Sequence, residues 1–274
     1  MDDRFVALRT VETRPTSQPA DGDALTPFLE GLTIEHGPIP LLGQFLLLAD
    51  SAARRRDVRL YFSSMDELSD INKRNADSWR PILPHYDAAY GGITSENAFC
   101  IIGRNAVGDI VATQAARLYD WTETTLMAEA TTLRLFYPKP GEMARGGEKC
   151  IITAPAAASI SGRVAFTGAA WYRPDYRGRD LATMLPRIAR AYAFAKWHTD
   201  FNVSFIADRL VETGLPSRCG YTNVQFAVEL ENFAIGRYRG ALVWMATAEM
   251  LNDVSHLVSS GFAQVDSGIQ KRRA

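Results

Sequence analysis

The stretch that most constrains the fold lies between residues 164 and 197, where a strand pattern runs through a short charged turn into a helix pattern. Residues 164–172 are rich in β-branched and aromatic side chains, which predicts a buried strand. Residues 173–179 hold a proline and a glycine among charges, which predicts a turn. Residues 180–197 carry apolar side chains at helical spacing. The amides of such a turn and the positive end of the helix dipole together form an anion site.

The residue types in this turn are a more specific signal than the order of strand, turn and helix. The segment from Pro174 to Ala182 reads PDYRGRDLA. It resembles the acyl-CoA loop of the GNAT-type N-acetyltransferases, whose pattern is Gln/Arg-x-x-Gly-x-Gly/Ala between the fourth strand and the third helix. Arg177 matches the first position and Ala182 the last, but Asp180 stands at the middle glycine and Gly178 lies two residues earlier. The alternative interpretation is an ordinary charged turn between a strand and a helix.

The resemblance implies an α/β (α+β) fold with a central mixed, mostly antiparallel sheet flanked by helices. By order of elements it covers residues 58–250, and at motif level only 164–198. We therefore divide the chain into an N-terminal extension (1–40), an acyltransferase domain (41–260) with an insertion or lid (122–163) before the fourth strand, and a tail (261–274). The extension is either a flexible arm or a strap over a neighbouring subunit. The insertion is expected to shape the acceptor pocket.

Periodicity and turn residues predict the remaining elements. Helices are expected at 41–56, from Ser64 onward, at 125–137 and at 248–258, with a short one near 25–32 and a short helix or turn at 208–217. Strands are expected at 59–63, 98–102, 109–119, 202–207, 224–230 and 241–248.

Composition excludes several classes of function. The 30 basic and 31 acidic residues give a net charge of −1, so we expect no nucleic-acid partner. The three cysteines and four histidines are scattered without metal-ligand spacing, which predicts a reduced, cytoplasmic protein with no metal. The first residues lack the order of a signal peptide, and no apolar run is long enough for a bilayer, so we expect no membrane partner. The basic runs at 54–56 and 271–273 are interpreted as a solvated helix end and a tail.

The resemblance also implies a set of cofactor-binding residues. The turn amides would hold the pyrophosphate of acetyl-CoA, and the end of the strand would bind its pantetheine through backbone groups, as an added strand does. The turn residues are Arg177, Gly178, Arg179, Asp180, Leu181 and Ala182, and the strand-end residues are Trp171, Tyr172 and Arg173.

The catalytic residues of the family do not carry over. Family members often have a tyrosine four residues before a Gly-Phe pair, and here the pair is Gly220-Tyr221 and the position is Pro216. Residues 164–172 contain no Glu or His to relay a proton. Two candidates remain because of their position after the expected strand 202–207. Asp208 could accept a proton through water, and Tyr221 could protonate the leaving thiolate. The alternatives are a helix N-cap for Asp208 and a core aromatic for Tyr221.

The sequence therefore predicts an N-acetyltransferase that moves an acetyl group from acetyl-CoA to a small-molecule or peptide amine, in a homodimer. A non-catalytic GNAT-like acyl-CoA-binding or interaction module is the alternative, favoured by Asp180 and Pro216. An acyl-homoserine-lactone synthase-like or aminoacyl-transfer relative is a third, because fold does not fix function. Glu123 and Glu129 either attract a cationic amine or lie on a solvated helix face. We expect Asp180→Gly to bind CoA more tightly and to destabilise the free protein slightly.

Overall fold

The computed structural model describes residues 25–261, which form a single nine-stranded sheet flanked by helices. The strands are β1 (Thr26–Pro27), β2 (Arg59–Ser63), β3 (Ala98–Arg104), β4 (Ile110–Trp121), β5 (Lys149–Ile152), β6 (Gly162–Tyr172), β7 (Phe201–Ala207), β8 (Asn223–Glu231) and β9 (Tyr238–Ala246). The helices are α1 (Ile39–Arg54), α2 (Met65–Arg74), α3 (Leu126–Thr131), α4 (Pro140–Met143), α5 (Leu181–Trp197), α6 (Asp208–Val211), α7 (Leu215–Arg218) and α8 (Thr247–Ser259).

The strand order is β1-β2-β3-β4-β6-β7-β9-β8-β5, and within it β6 and β7 form a parallel pair while the other neighbours are antiparallel. A parallel pair needs a long crossover, and α5 supplies it. The mixed, mostly antiparallel sheet with flanking helices confirms the predicted fold class. The strand–turn–helix that carries the acyl-CoA resemblance is thus the central crossover of the sheet.

Two apolar cores lie on opposite faces of this sheet. Helices α1, α5 and α8 cover one face with side chains such as Leu46, Ile188 and Val254. Helices α2 and α3 cover the other face together with the segment that contains Tyr86 and the aromatic residues near Phe136. Helix α5 is buried along most of its length because it lies between the sheet and the helices α1 and α8.

Local signals explain where most elements begin. Ser64 caps α2 by accepting a hydrogen bond from the Glu67 amide at 3.1 Å, as the spacing predicts. Pro40 lies in the first turn of α1, where its missing N–H costs no helical hydrogen bond. Two predicted helices are corrected. The one expected at 125–137 ends at Thr131, and Leu133 has a positive φ of 61°. The one expected near 25–32 is replaced by β1 and a turn.

The segment 122–163 folds against the sheet. It contains α3 and α4, and its strand β5 pairs antiparallel with β8 beyond the end of the predicted sheet. Side chains from this segment, including Leu126, Ile152 and Ile160, are buried in the second core. Its role in acceptor binding stays a prediction. Most of the predicted extension (1–24) and nearly all of the tail (262–274) lie outside the described residues, and so does the expected strap.

His85 is an unusual member of the second core. It is fully buried, and neither ring nitrogen has a hydrogen-bond partner among residues 25–261. Its ring contacts the rings of Tyr86, Phe136 and Phe166. Burial lowers the pKa of His85 well below its usual value, and the Arg117 guanidinium lowers it further. The imidazole is therefore neutral in the folded chain at pH 7.

This burial predicts a pH-dependent stability. Below about pH 6.5 the unfolded chain takes up a proton at His85 and the folded chain does not, so the free energy of unfolding falls as the pH drops. One such proton contributes up to about 1.4 kcal/mol per pH unit. His85→Leu should remove this contribution in urea unfolding between pH 5 and 6.5. Equal slopes for the parent and His85→Leu would contradict the assignment.

Candidate active site

The two parallel strands separate in the middle of the sheet. Strand β6 pairs with β7 at Val164 to Phe166, and beyond these residues both strands run on without pairing to each other. We call the place where the pairing ends, at Phe166, the branch point. A bulge bends β6 just after it: the register of β6 to β4 shifts, and Ala169 has a φ of 47°. Side chains of β4 support the bulge, because Thr113 donates to the Ala169 carbonyl at 2.9 Å and Gln114 to the Gly168 carbonyl at 3.1 Å. We call the opening between the two strands the cleft.

The predicted cradle lies directly above this cleft, between the end of β6 and the start of α5. Gly178 has a φ of 80° and Asp180 a φ of 58°, so the turn uses two left-handed residues. The Asp180 carbonyl accepts hydrogen bonds from the Thr183 amide at 3.1 Å and from its hydroxyl at 2.8 Å, but its carboxylate makes no cap bond. All of the predicted turn residues, 177 to 182, are together here. A glycine would adopt the left-handed conformation of Asp180 without strain.

Arginines and aspartates surround the cradle. The guanidinium groups of Arg173 and Arg179 both contact the Tyr176 ring, at 5.1 Å and 4.0 Å from its centroid. Arg173 pairs with Asp109 at 2.9 Å and with Asp175 at 2.7 Å. Hydrogen bonds from Arg173 lower the pKa of both carboxyl groups. The charge of Arg173 is thereby balanced.

A third arginine corrects the interpretation of the run 54–56 as a solvated helix end. Arg56 is only 3% exposed, and its Nε donates to the Arg179 carbonyl at 2.8 Å. Its Nη1 donates to the Ala52 carbonyl at 2.9 Å. Arg56 therefore ties the end of α1 to the cradle.

The end of β6 presents one backbone edge to the cleft. The Arg173 amide donates to the Val111 carbonyl of β4 at 2.9 Å, so its backbone faces β4. Because backbone groups alternate along a strand, Trp171 also faces β4 and Tyr172 faces the cleft. The Tyr172 carbonyl accepts a hydrogen bond from Arg177 at 3.1 Å. Of the three predicted strand-end residues, Tyr172 has its backbone directed toward the cleft.

Tyr221 lies at the branch point of the two strands. It is 5% exposed, and its hydroxyl is 3.0 Å from the Thr167 hydroxyl. Thr167 directly follows the last β6 residue that pairs with β7. The phenol therefore reaches the cleft where the two strands separate, although its ring is packed as a core aromatic.

Asp208 follows β7 as the first residue of α6 and is half-buried. Ala207 occupies the N-cap position, so Asp208 is not the cap. Burial raises the pKa of Tyr238, and the nearby Asp208 charge raises it further. Of the two glutamates considered for attracting an amine, Glu123 is exposed, and Glu129 is buried and paired with Arg134 at 2.7 Å, so its charge is balanced and it does not lie on a solvated face.

Sequence analysis missed Tyr86, which reaches the same branch point from the opposite face of the sheet. Its hydroxyl donates to the Phe166 carbonyl at 3.2 Å. A Cβ at Gly168 would lie 2.7 Å from this hydroxyl oxygen, so the glycine makes room for the tyrosine. Burial raises the pKa of Tyr86 well above its usual value. A glycine inside a strand pattern indicates that another group approaches the strand closely, and Gly168 was such a signal. The sequence did not indicate that Tyr86 is the group that approaches.

Among residues 25–261, no group of three or more His, Cys, Asp or Glu side chains could hold a metal ion. In the same part of the chain no helix is long and apolar enough to cross a membrane.

Comparisons with known proteins give matches among solved structures. No protein-family model matches the sequence, and no curated protein matches it. A spermidine N-acetyltransferase from Vibrio cholerae is 12% identical, over 72% of this chain and 98% of its own, with a TM-score of 0.43. An uncharacterized protein from Bacillus halodurans is 13% identical, over 74% and 92%, with a TM-score of 0.43. A proposed ribosomal-protein-serine acetyltransferase from Vibrio cholerae is 11% identical, over 69% and 94%, with a TM-score of 0.39. The activities in these names are those of the matched proteins.

The left-handed conformation of Asp180 reverses the expected effect of Asp180→Gly on stability. Glycine removes the left-handed strain, which outweighs the loss of the favourable charge at the helix start, so we expect a gain of about 0.5 kcal/mol in the free energy of unfolding. Asp180→Ala keeps the strain and loses the charge, so it should be less stable than the parent. Urea unfolding of both variants measures this order. A glycine variant less stable than the parent would mean that the dipole term dominates. Tighter CoA binding by Asp180→Gly stays a prediction.

Proposed function

We propose that this chain is an acyl-CoA-dependent N-acyltransferase that moves an acetyl group from acetyl-CoA to a small-molecule or peptide amine. The observation that supports it best is the separation of β6 from β7 directly below a turn with two left-handed residues at the start of a 17-residue helix. An extended pantetheine chain has the length and hydrogen-bonding groups to enter such a cleft as an added strand. The turn amides and the helix dipole suit the pyrophosphate at its end.

The thioester would lie near the branch point, between residues Phe166 and Gly168. The amine nitrogen attacks the carbonyl carbon, and the carbon–sulfur bond breaks with its electron pair going to sulfur. Tyr221 is directed there by its contact with Thr167 and gives its proton to the thiolate. Tyr86 lies at the other face, where its hydroxyl donates to the Phe166 carbonyl and holds the backbone of β6 at this point. The amine proton leaves through water toward Asp208, at the end of β7.

A second candidate, a non-catalytic acyl-CoA-binding or interaction module, is supported by one contact. Arg177 donates to the Tyr172 carbonyl at 3.1 Å and to the Ser78 carbonyl at 3.3 Å. In this position the side chain competes with pantetheine for the same carbonyl. A chain that keeps this contact would bind CoA weakly or through the turn alone.

Two measurements separate the candidates. Binding to the folded state raises the melting temperature with ligand concentration, so CoA and acetyl-CoA should each shift it. Release of free CoA thiol from acetyl-CoA, followed with a disulfide reagent over a panel of primary amines and amino-terminal peptides, reports transfer. A melting shift without thiol release supports the binding module, and no shift at saturating CoA overturns both.

Gly178 provides a specific test of the cradle. Gly178→Ala puts a side chain at a φ of 80°, which should destabilise the chain by about 1 kcal/mol and reorient the amides of the turn. CoA affinity should fall at least tenfold by calorimetry. Gly236→Ala is the matched control, because Gly236 has a φ of 76° and open space around it but lies in the β8–β9 loop. It should lose similar stability and keep CoA affinity. Equal affinity losses in both variants would argue against the cradle.

A further inference from the structure

A buried ion cluster lies beneath the Gly220-Tyr221 pair. Arg187 of α5 binds Asp253 of α8 through Nε at 2.8 Å and through Nη2 at 3.1 Å. Nη2 of Arg190, one turn further along α5, is 3.8 Å from the same carboxylate. The side chains of Arg187 and Arg190 are 10% and 1% exposed. Two cations thus share one anion in the core, and Arg187 takes the better geometry.

Arg190 lies under the ring of Tyr221. Its guanidinium carbon is 4.3 Å from the ring centroid, which is cation–π contact distance. Its Nη2 donates to the Cys219 carbonyl, and its Nε and Nη1 have no hydrogen-bond partner in the part of the chain that the structure describes. Burying such a charge with unused donors is costly, and an apolar side chain of similar volume would pack there at less cost. The arrangement therefore points to a role other than stability.

The cluster also fixes the backbone before Tyr221. Gly220 has a φ of 83°, and a Cβ there would overlap the Asp253 carboxylate. The backbone of Cys219 and Gly220 thus rests on the cluster, and Arg190 supports the ring that follows. At its far end the phenol contacts Thr167 in the cleft. Arg190 thus contacts the ring of Tyr221, while the hydroxyl at the other end of the side chain faces the cleft.

We propose that Arg190 is a positioning residue for Tyr221, which it holds toward the cleft and whose negative charge it stabilises during acyl transfer. This inference rests on the proposed function. As the carbon–sulfur bond breaks, the proton of the Tyr221 hydroxyl moves to the sulfur and leaves a phenolate over the Arg190 guanidinium. The amine proton, which leaves through water toward Asp208, is then passed through water to the phenolate, and this restores the tyrosine and the Asp208 carboxylate. The buried positive charge favours the phenolate because the site has a low dielectric.

A double-mutant cycle tests the proposal. Thiol release from acetyl-CoA is measured with the best amine of the panel, or with water if none is used, for the parent, Arg190→Met, Tyr221→Phe and the double variant. Both single variants should lower kcat at least tenfold, while KM for acetyl-CoA and calorimetric CoA affinity stay within twofold. The double variant should be no slower than Tyr221→Phe, because Arg190 acts through the tyrosine. Arg190→Lys keeps a charge and should recover part of the loss.

The outcomes separate two failures. If the parent turns over and Arg190→Met matches its kcat, or if the two single effects multiply, the positioning role is wrong while the proposed function stands. If the parent binds CoA but never releases thiol, both are wrong. Should Arg190→Met fail to fold, the same cycle is run with Arg190→Lys and Tyr221→Phe. In that cycle, coupled losses in kcat support the role and independent losses overturn it.

Discussion

The structure depends on one strand pair, the parallel contact between β6 and β7. Helix α5 must span this pair, and so the turn before α5 comes to lie over the edge where the two strands separate. Strands that remained paired along their length would leave no cleft. The bulge at Ala169 and the side chains of Thr113 and Gln114 hold β6 bent away while it stays attached to β4. A distortion in one strand, supported by its neighbour, thus opens the sheet at its centre.

The arginines around the cleft are held by ion pairs or by hydrogen bonds to carbonyl groups. Arg173 is paired with two aspartates, Arg56 is bonded to a carbonyl, and Arg177 contacts two carbonyls without an ion pair among the described residues. Of these three arginines, Arg177 is the one that can move at least cost, because within the described residues it is held only by exposed contacts to carbonyls. It is also the residue that matches the first position of the acyl-CoA pattern. Its position over the Tyr172 carbonyl is consistent with a side chain that exchanges one acceptor for a ligand.

The sequence predicted most helices and strands, but it did not predict which side chains meet at the cleft. Periodicity predicted α1, α5, α8 and the main strands within a few residues, because each has one apolar face and a clear turn at its end. It could not predict that β5 extends the sheet, since four residues carry little periodic signal. It also could not bring Tyr86 and Tyr221 to one branch point, because the two are far apart in the chain and approach from opposite faces. The left-handed Asp180 was missed for another reason: its carboxylate was interpreted as a favourable charge at the helix start, whereas its backbone conformation was the feature that mattered.

Strand β5 has a consequence for how copies of this chain could associate. An exposed sheet edge offers its backbone groups to a second molecule. Here the part of β8 from Val228 to Glu231 is already paired with the chain's own insertion, and the new edge there is only four residues long and begins with Lys149. At the opposite end, β1 contributes two residues, one of which is Pro27 and has no amide hydrogen. Within residues 25–261, the two outermost strands of the sheet are therefore short templates for continuing it, and a second copy of the chain would find a further strand segment, unpaired on its outer side, at residues 223–226 of β8.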